Sequence, residues 1–197
     1  MRRFVNSSAC AFLACMFLLM AGLVALAYAT QIAYKSPRQL GDESALVVRG
    51  RVQSMESYWN SKHTKIFTRT RIAVDETYKG NARTTIDVIQ LGGVVGNVKV
   101  TVQGALQWKV GEEVLLFAEP YDERSFQVSG FFQGKFKIEH DPATGIAYVD
   151  APAPEGVSLL GAPPTQRPSR ISLKQRATLE QFVGQALGRS ATPGVER

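Results

Sequence analysis

Hydrophobic and polar positions alternate with a period of two through much of the chain, which predicts β-strands rather than helices. In LVVRGRVQSMES, from Leu46 to Ser57, Leu46, Val48, Gly50 and Val52 share one face, and Val47, Arg49, Arg51 and Gln53 take the other. The stretch IFTRTRIAVDETY, from Ile66 to Tyr78, repeats the pattern, and TTIDVIQL, from Thr84 to Leu91, continues it. The pattern therefore predicts three half-buried strands in succession, with Gly50 marking a bend of the kind that curled sheets use.

Shorter strands follow these three. The run EVLLFA, from Glu113 to Ala118, predicts a short buried strand that Pro120 ends. The remaining candidates are Val98–Val102, Ser125–Ser129, Lys135–His140 and Ile146–Asp150. Seven or eight short strands at this spacing predict an all-β barrel or sandwich.

Helical patterns flank the β-rich region. Ser36 followed by Pro37 predicts a short helix that reaches about Glu43, because Ser caps a helix and Pro at its first position costs no hydrogen bond. Residues 151–171 hold five of the nine prolines, which predicts an extended linker or an arm that follows the surface.

A second helix is predicted over residues 172–188, since Ser172 and Gln175 have capping-box spacing and Gly188 is a helix terminator. We expect its apolar stripe to pack on the barrel and cover an open end, with docking to another protein as the alternative. Residues 189–197 are predicted to be a frayed tail.

The first 29 residues have the pattern of a secretory signal peptide. Arg2 and Arg3 precede an uncharged run of 19 residues from Ala9 to Ala27, and an A-x-A motif predicts cleavage between Ala29 and Thr30. A retained inner-membrane anchor is the alternative, because 19 apolar residues are long enough to span a bilayer. Both interpretations place residues 30–150, the β-barrel domain, outside the cytoplasm, in the periplasm or secreted.

Cysteine content and charge narrow the chemistry further. Cys10 and Cys15 both lie in the signal segment, so the exported chain has no disulfide, thiol nucleophile or thiolate ligand. Without Arg2 and Arg3 the formal net charge falls from +6 to +4. A mildly basic chain tolerates anionic surfaces but does not require a nucleic-acid partner.

Several of these stretches together resemble a family of uncharacterised secreted bacterial proteins. The stretches are SALVVRGRVQSMES, TYKG, LGGVVG and WKVGEEVLLFAEP, and VGEEVLLF, from Val110 to Phe117, is the most specific. The resemblance covers roughly Ser36 to Asp150 and implies a small, partly closed β-barrel similar to the OB-fold, with an exported location. It supplies no catalytic residues. Such proteins are associated with genomes that encode matrixin-type secreted metallopeptidases, so a partner or inhibitor of such a peptidase is an alternative function.

The glycine-rich stretch LGGVVGN, with Gly92, Gly93 and Gly96, invites comparison with phosphate-binding loops. It lacks the full dinucleotide fingerprint and the Gly-Lys-Ser/Thr of a P-loop, and the strand pattern NVKVTV follows where a helix is required. We therefore predict a connection between strands that turns at Gly96-Asn97, and no nucleotide.

Metal binding and catalysis have little support in the sequence. His63 sits between two lysines in SKHTK, and His140 lies between Glu139 and Asp141, which alternate in direction on a strand. There is no G-x-S-x-G motif and no cysteine outside the signal segment. We predict no cofactor, no metal and no enzymatic activity, with an envelope enzyme as a second alternative.

Basic and aromatic residues of the first two long strands form the strongest binding candidate. Arg49 and Arg51 lie on the polar face of one strand, and Arg69 and Arg71 lie on that of the next. If the strands pair, the four guanidinium groups share one surface, to which the nearby aromatic residues Tyr58, Trp59 and Phe67 add stacking area. The predicted function is a binding module for a protein or an anionic envelope polymer. The alternative is an ordinary solvated strand face.

Overall fold

The computed structural model describes residues 30–81, 83–151, 157–162 and 177–189. The predicted signal segment, the predicted cap at Ser172 and the residues after 189 lie outside these ranges. The described strands are β1 (Thr30–Ala33), β2 (Leu46–Trp59), β3 (Ile66–Lys79), β4 (Thr85–Leu91), β5 (Gly93–Val95), β6 (Val98–Val100), β7 (Glu113–Pro120), β8 (Ser125–Val128), β9 (Lys135–His140), β10 (Ala147–Asp150) and β11 (Val157–Leu160). The described helices are α1 (Pro37–Glu43) and α2 (Leu179–Leu187). The prediction of a mainly β fold with two short helices is confirmed.

Seven strands form one mixed sheet in the order β10-β9-β7-β2-β3-β4-β8. Strand β7 also pairs with β8, so the sheet partly closes into a five-strand ring of β7, β2, β3, β4 and β8. Within the ring only β4 and β8 are parallel, and they pair at Asp87 and Val88 alone. Two small sheets accompany this one, an antiparallel β5–β6 hairpin and a parallel β1–β11 pair.

Curvature of β2 allows the ring to form. The register between β2 and β3 shifts at three places, including the step from Arg49 to Gly50. A Cβ atom at Gly50 would lie 2.2 Å from the carbonyl oxygen of Ala73, so the strands approach each other too closely for any other residue. The predicted bend at Gly50 is therefore confirmed, and bulges of this kind increase the twist of a strand.

The inner core fills the five-strand ring. It consists of the inward side chains of all five strands, together with Leu106, Trp108 and Phe132 from the connecting segments. Ile32 of β1 and Leu159 of β11 pack against it. Since β11 belongs to the proline-rich arm, the described part of that arm follows the surface of the domain and pairs with β1.

A second core lies on the outer face of β7, because this strand is apolar on both faces. Leu115 and Phe117 point away from the inner core and are fully buried. Helices α1 and α2 cover them, and Phe136 of the neighbouring strand β9 lies beside Leu115 on the same face. The Phe182 ring lies 6.3 Å from that of Phe117 and 4.5 Å from that of Phe136. Helix α2 thus packs against the outside of the sheet. The expectation that its apolar stripe packs on the β-domain is confirmed, but the stripe lies on the outer face of β7 and not at an open end of the barrel.

Both helices begin with a capping box. Ser36 caps α1, as the sequence predicts, and Gln39 completes the box. Thr178 and Gln181 cap α2, and Gly188 ends it in the left-handed conformation. No helix within the described ranges is long and apolar enough to cross a bilayer.

Candidate functional site

The four arginines occupy the outward face of the β2–β3 pair. Arg49 pairs with Glu76 and Arg51 with Ala73, whereas Arg69 pairs with Glu56 and Arg71 with Ser54. Val52 and Ile72, which alternate with them, point into the inner core. Arg49 and Arg51 lie towards β7, and Arg69 and Arg71 lie towards β4. The arginines therefore form two separate pairs.

Glu113 of β7 compensates the first pair. Its carboxylate lies 3.1 Å from Arg51 Nη2 and 3.6 Å from Arg49 Nε. His140 Nε2 lies 3.0 Å from the same carboxylate. Only 10% of the Glu113 side chain is exposed, so its charge acts in a partly desolvated setting where screening is weaker.

Asp87 of β4 compensates the second pair. Arg71 donates two hydrogen bonds to its carboxylate, at 2.8 and 2.9 Å, and Arg69 Nε lies 3.9 Å away. The hydrogen bond from Arg71 lowers the pKa of Asp87, and the hydrogen bond to Asp87 raises the pKa of Arg71. Each arginine pair thus shares a carboxylate on the neighbouring strand, which reduces the positive potential of this face.

Aromatic side chains continue the same face beyond the arginines. Tyr58 and Phe67 pair directly across the two strands, with ring centroids 6.3 Å apart. The Arg69 guanidinium lies 5.1 Å from the centroid of the Tyr58 ring, and Tyr121 lies 6.4 Å from Phe67 on the other side. We call these four residues the aromatic–arginine surface.

The sequence pattern missed Tyr121 as a member of this surface and wrongly included Trp59. Tyr121 follows β7 in a short turn and is 45% exposed, and no periodicity links it to Phe67. Trp59 pairs with the buried Ile66 and therefore faces away from Tyr58. Its ring stacks on His63 in the β2–β3 turn, with centroids 6.1 Å apart.

The glycine-rich stretch forms a hydrogen-bonded hairpin. Val95 pairs with Val98, so Gly96 and Asn97 form the predicted turn, and Gly96 has a positive φ of 57°. Strand β6 follows this turn, so no helix N-terminus points at the glycines. This confirms the predicted strand connection.

The residues around His140 diverge from one another. His140 contacts Glu113, Glu139 pairs with Lys137 at 2.7 Å, and Asp141 accepts hydrogen bonds from the backbone of the following turn. Among the residues that the structure describes, no group of three or more His, Cys, Asp or Glu side chains is placed to hold a metal ion.

Comparison with known protein families found no family model that matches the chain, and comparison with curated proteins found no match. The geometry of the chain itself is therefore the basis on which a function is inferred.

Proposed function

We propose that this chain is an exported, non-enzymatic binding module that contacts a protein partner through the aromatic–arginine surface. One observation carries the proposal. Tyr58, Phe67 and Tyr121 form a row of partly or well exposed aromatic rings that ends at Arg69. Tyrosine and arginine are enriched among the residues that contribute most binding energy at protein interfaces. Tyrosine buries a large area at low entropic cost, and arginine adds directional hydrogen bonds.

The fold supports the same proposal. The five-strand ring is consistent with an OB-like barrel, in which a strand face and the adjacent loops commonly form the binding surface. The aromatic–arginine surface combines two such strands with the turn after β7. The signal-like pattern before Thr30 supports an extracytoplasmic location.

Charge compensation favours a protein partner over an anionic polymer. A polymer recognised by charge needs uncompensated cations along its path. On this face, Glu113 and Asp87 form ion pairs with the guanidinium groups instead, and the contact between Asp87 and Arg71 is bidentate. Stacking and apolar contact by the aromatic residues remain the main source of affinity.

The test is capture of extracytoplasmic proteins on the immobilised, exported chain. We expect one specific partner whose retention falls at least tenfold in the double variant Tyr58→Ala/Phe67→Ala, because hot-spot truncations cost about 2 kcal/mol or more. Phe131→Ala is the matched control. Phe131 is 49% exposed, similar to Tyr121, but lies in the turn before β9.

Salt dependence distinguishes the two classes of partner. Binding through aromatic contacts persists at high ionic strength, whereas binding through surface charge is screened. Retention that survives Tyr58→Ala/Phe67→Ala but disappears in salt or in Arg51→Glu would reject this proposal in favour of an anionic polymer.

A further inference from the structure

We propose that the protein has a second binding site, a cavity of about 520 Å³ beneath the β5–β6 hairpin, which takes a small amphipathic molecule with one anionic group, such as a medium-chain carboxylate. The site lies on the inner side of the sheet, whereas the aromatic–arginine surface lies on its outer side. The proposal therefore goes beyond the proposed function and does not depend on it.

The cavity begins where the inner core ends. Strand β2 pairs with β7 only as far as Arg51, and β4 pairs with β8 only at Asp87 and Val88. Past these points β2, β3 and β4 continue together. Their inward positions change from the apolar residues of the inner core to Ser57, Thr68 and Gln90, which line the cavity.

The wall opposite these strands is the segment that connects β6 to β7, and two side chains fix it in place. Gln90 donates to the carbonyl oxygen of Leu106 at 3.1 Å and accepts a hydrogen bond from Trp108 Nε1 at 3.2 Å. Lys135 donates to the carbonyl oxygen of Gln107 at 2.7 Å and lies 4.8 Å from the centroid of the Trp108 ring. These contacts fix the position of the wall without a ligand, which reduces the ordering cost of binding.

The glycine pair forms the roof of the cavity. Thr68 Oγ1 donates to the carbonyl oxygen of Gly92 at 2.7 Å, and Ser57 Oγ accepts from the Val94 amide at 3.3 Å. A Cβ atom at Gly93 would lie 2.4 Å from both hydroxyl oxygens, so only glycine allows the hairpin to approach this closely. The glycines that resemble a phosphate loop thus shape a cavity wall.

The lining defines the class of ligand. Val100, Val102, Leu106 and Trp108 supply apolar contact area. Among the lining residues in the described part of the chain, Lys99 alone carries a charge, and it is exposed at the rim. A volume of about 520 Å³ lies within the range of small-molecule sites. A ligand with an apolar body would contact the apolar lining, and its anionic group would pair with Lys99 at the rim.

Trp108 provides a direct probe of occupancy. The chain has two tryptophans, so Trp59→Phe leaves Trp108, at the cavity wall, as the single tryptophan. We expect hexanoate, octanoate and decanoate to change its emission saturably. Affinity should rise by up to about fourfold for each added methylene, from the cost of exposing a CH₂ group to water.

Two further variants in the Trp59→Phe background locate the ligand. Lys99→Gln should weaken decanoate binding about fivefold and leave decanol binding unchanged, since an exposed ion pair contributes modestly. The matched control is Lys62→Gln, because Lys62 is also an exposed lysine but lies in the β2–β3 turn. Ala105→Phe places a ring against the cavity and should abolish the response to both ligands.

The proposal would be overturned by a non-saturable response, by equal binding in Ala105→Phe, or by decanol binding as tightly as decanoate before Lys99 is changed. Emission of Trp108 and circular dichroism of each unliganded variant report whether the wall and the fold are intact. Because the capture assay uses the outer face and this assay uses the inner one, failure of either leaves the other result interpretable.

Discussion

The ion pair between Lys135 and Glu112 provides the sharpest test of how the wall between β6 and β7 is held. Lys135 Nζ lies 2.8 and 3.0 Å from the two carboxylate oxygens of Glu112. Only 8% of the lysine side chain and 11% of the glutamate side chain are exposed. The ammonium also donates to the carbonyl oxygen of Gln107 and lies over the Trp108 ring. The ion pair is therefore nearly buried, and the ammonium has a hydrogen-bond partner in both Glu112 and Gln107.

Removing one partner should cost far more than removing both. Lys135→Met leaves the Glu112 carboxylate buried without its cation, and breaking such a pair costs about 3–5 kcal/mol. Water can reach the carbonyl of the exposed Gln107, so we expect a loss of about 3 kcal/mol, at the lower end. The double variant Lys135→Met/Glu112→Gln removes both charges, and the amide still accepts the hydrogen bond that the Lys109 backbone donates to Glu112. We expect it to be within about 1 kcal/mol of wild type.

The measurement is urea unfolding of wild type, both single variants and the double variant, followed by tryptophan fluorescence. For a domain of this size, a loss of 3 kcal/mol corresponds to a decrease in Tm of roughly 6–12 °C. A double variant as unstable as Lys135→Met would refute the reasoning. It would mean that the lysine acts through its contacts with Gln107 and Trp108 rather than through the charge of Glu112.

The pH dependence follows from the same burial. Desolvation lowers the pKa of Lys135 below its ordinary value, although Glu112 opposes this shift. Between the lowered folded pKa and the unfolded value of about 10.4, the unfolded chain binds more protons, so stability rises with pH through that window. The neutral amine of Lys135 still donates hydrogen bonds to Glu112 and to the Gln107 carbonyl, which methionine cannot do, so loss of the charge at alkaline pH is a milder change than loss of the side chain. Lys135→Met should lack this rise, and unfolding measured across alkaline pH would reveal the difference.

Three further predictions concern other parts of the fold. Asp87→Asn should make the unfolding free energy depend less steeply on pH in acid. A carboxyl with a lowered folded pKa stabilises the fold above its unfolded pKa of about 3.9 and loses this effect as pH falls, and urea unfolding across acidic pH measures the change. Gly93→Ala should lower the free energy of unfolding by about 2 kcal/mol or more and disturb Trp108 emission, because φ is 139° at this position and the new Cβ atom would collide with the hydroxyls of Ser57 and Thr68. Unchanged urea unfolding would contradict this. Phe182→Ala should lower the free energy of unfolding by about 3 kcal/mol, since its ring is buried in the second core, on the outer face of β7. An effect below about 1 kcal/mol in urea unfolding would mean that α2 packs only loosely.

Elements defined by local chemistry could be predicted from the sequence. The bounds of β2, β3 and β4 follow the period-two pattern to within a few residues, because side-chain direction on a strand depends only on the backbone. The Ser36 cap of α1 is equally local. Each of these features is determined by residues close together in the chain.

Features that depend on register could not be predicted. The parallel pairing of β1 with β11 joins segments more than 120 residues apart, and neither has a strong strand pattern. Compensation of the arginines by Glu113 and Asp87 arises only once β7 and β4 are placed beside β2 and β3. The sequence therefore indicates a more basic face than the fold produces.

The inner face of the long strands contains a signal that the alternation pattern alone conceals. Inward positions of β3 run from Ile72 through Thr70 to Thr68, so the period of two continues while the side chains change from apolar to polar. An inward polar residue in a closed core would be costly unless it were hydrogen-bonded. Thr68 is satisfied by Gly92, whereas Thr70 Oγ1 has no partner among the described residues. The packed core thus extends past the fully buried Thr70, and the glycine hairpin folds over the sheet at Thr68, where the Gly92 carbonyl accepts the hydrogen bond that this inward hydroxyl needs.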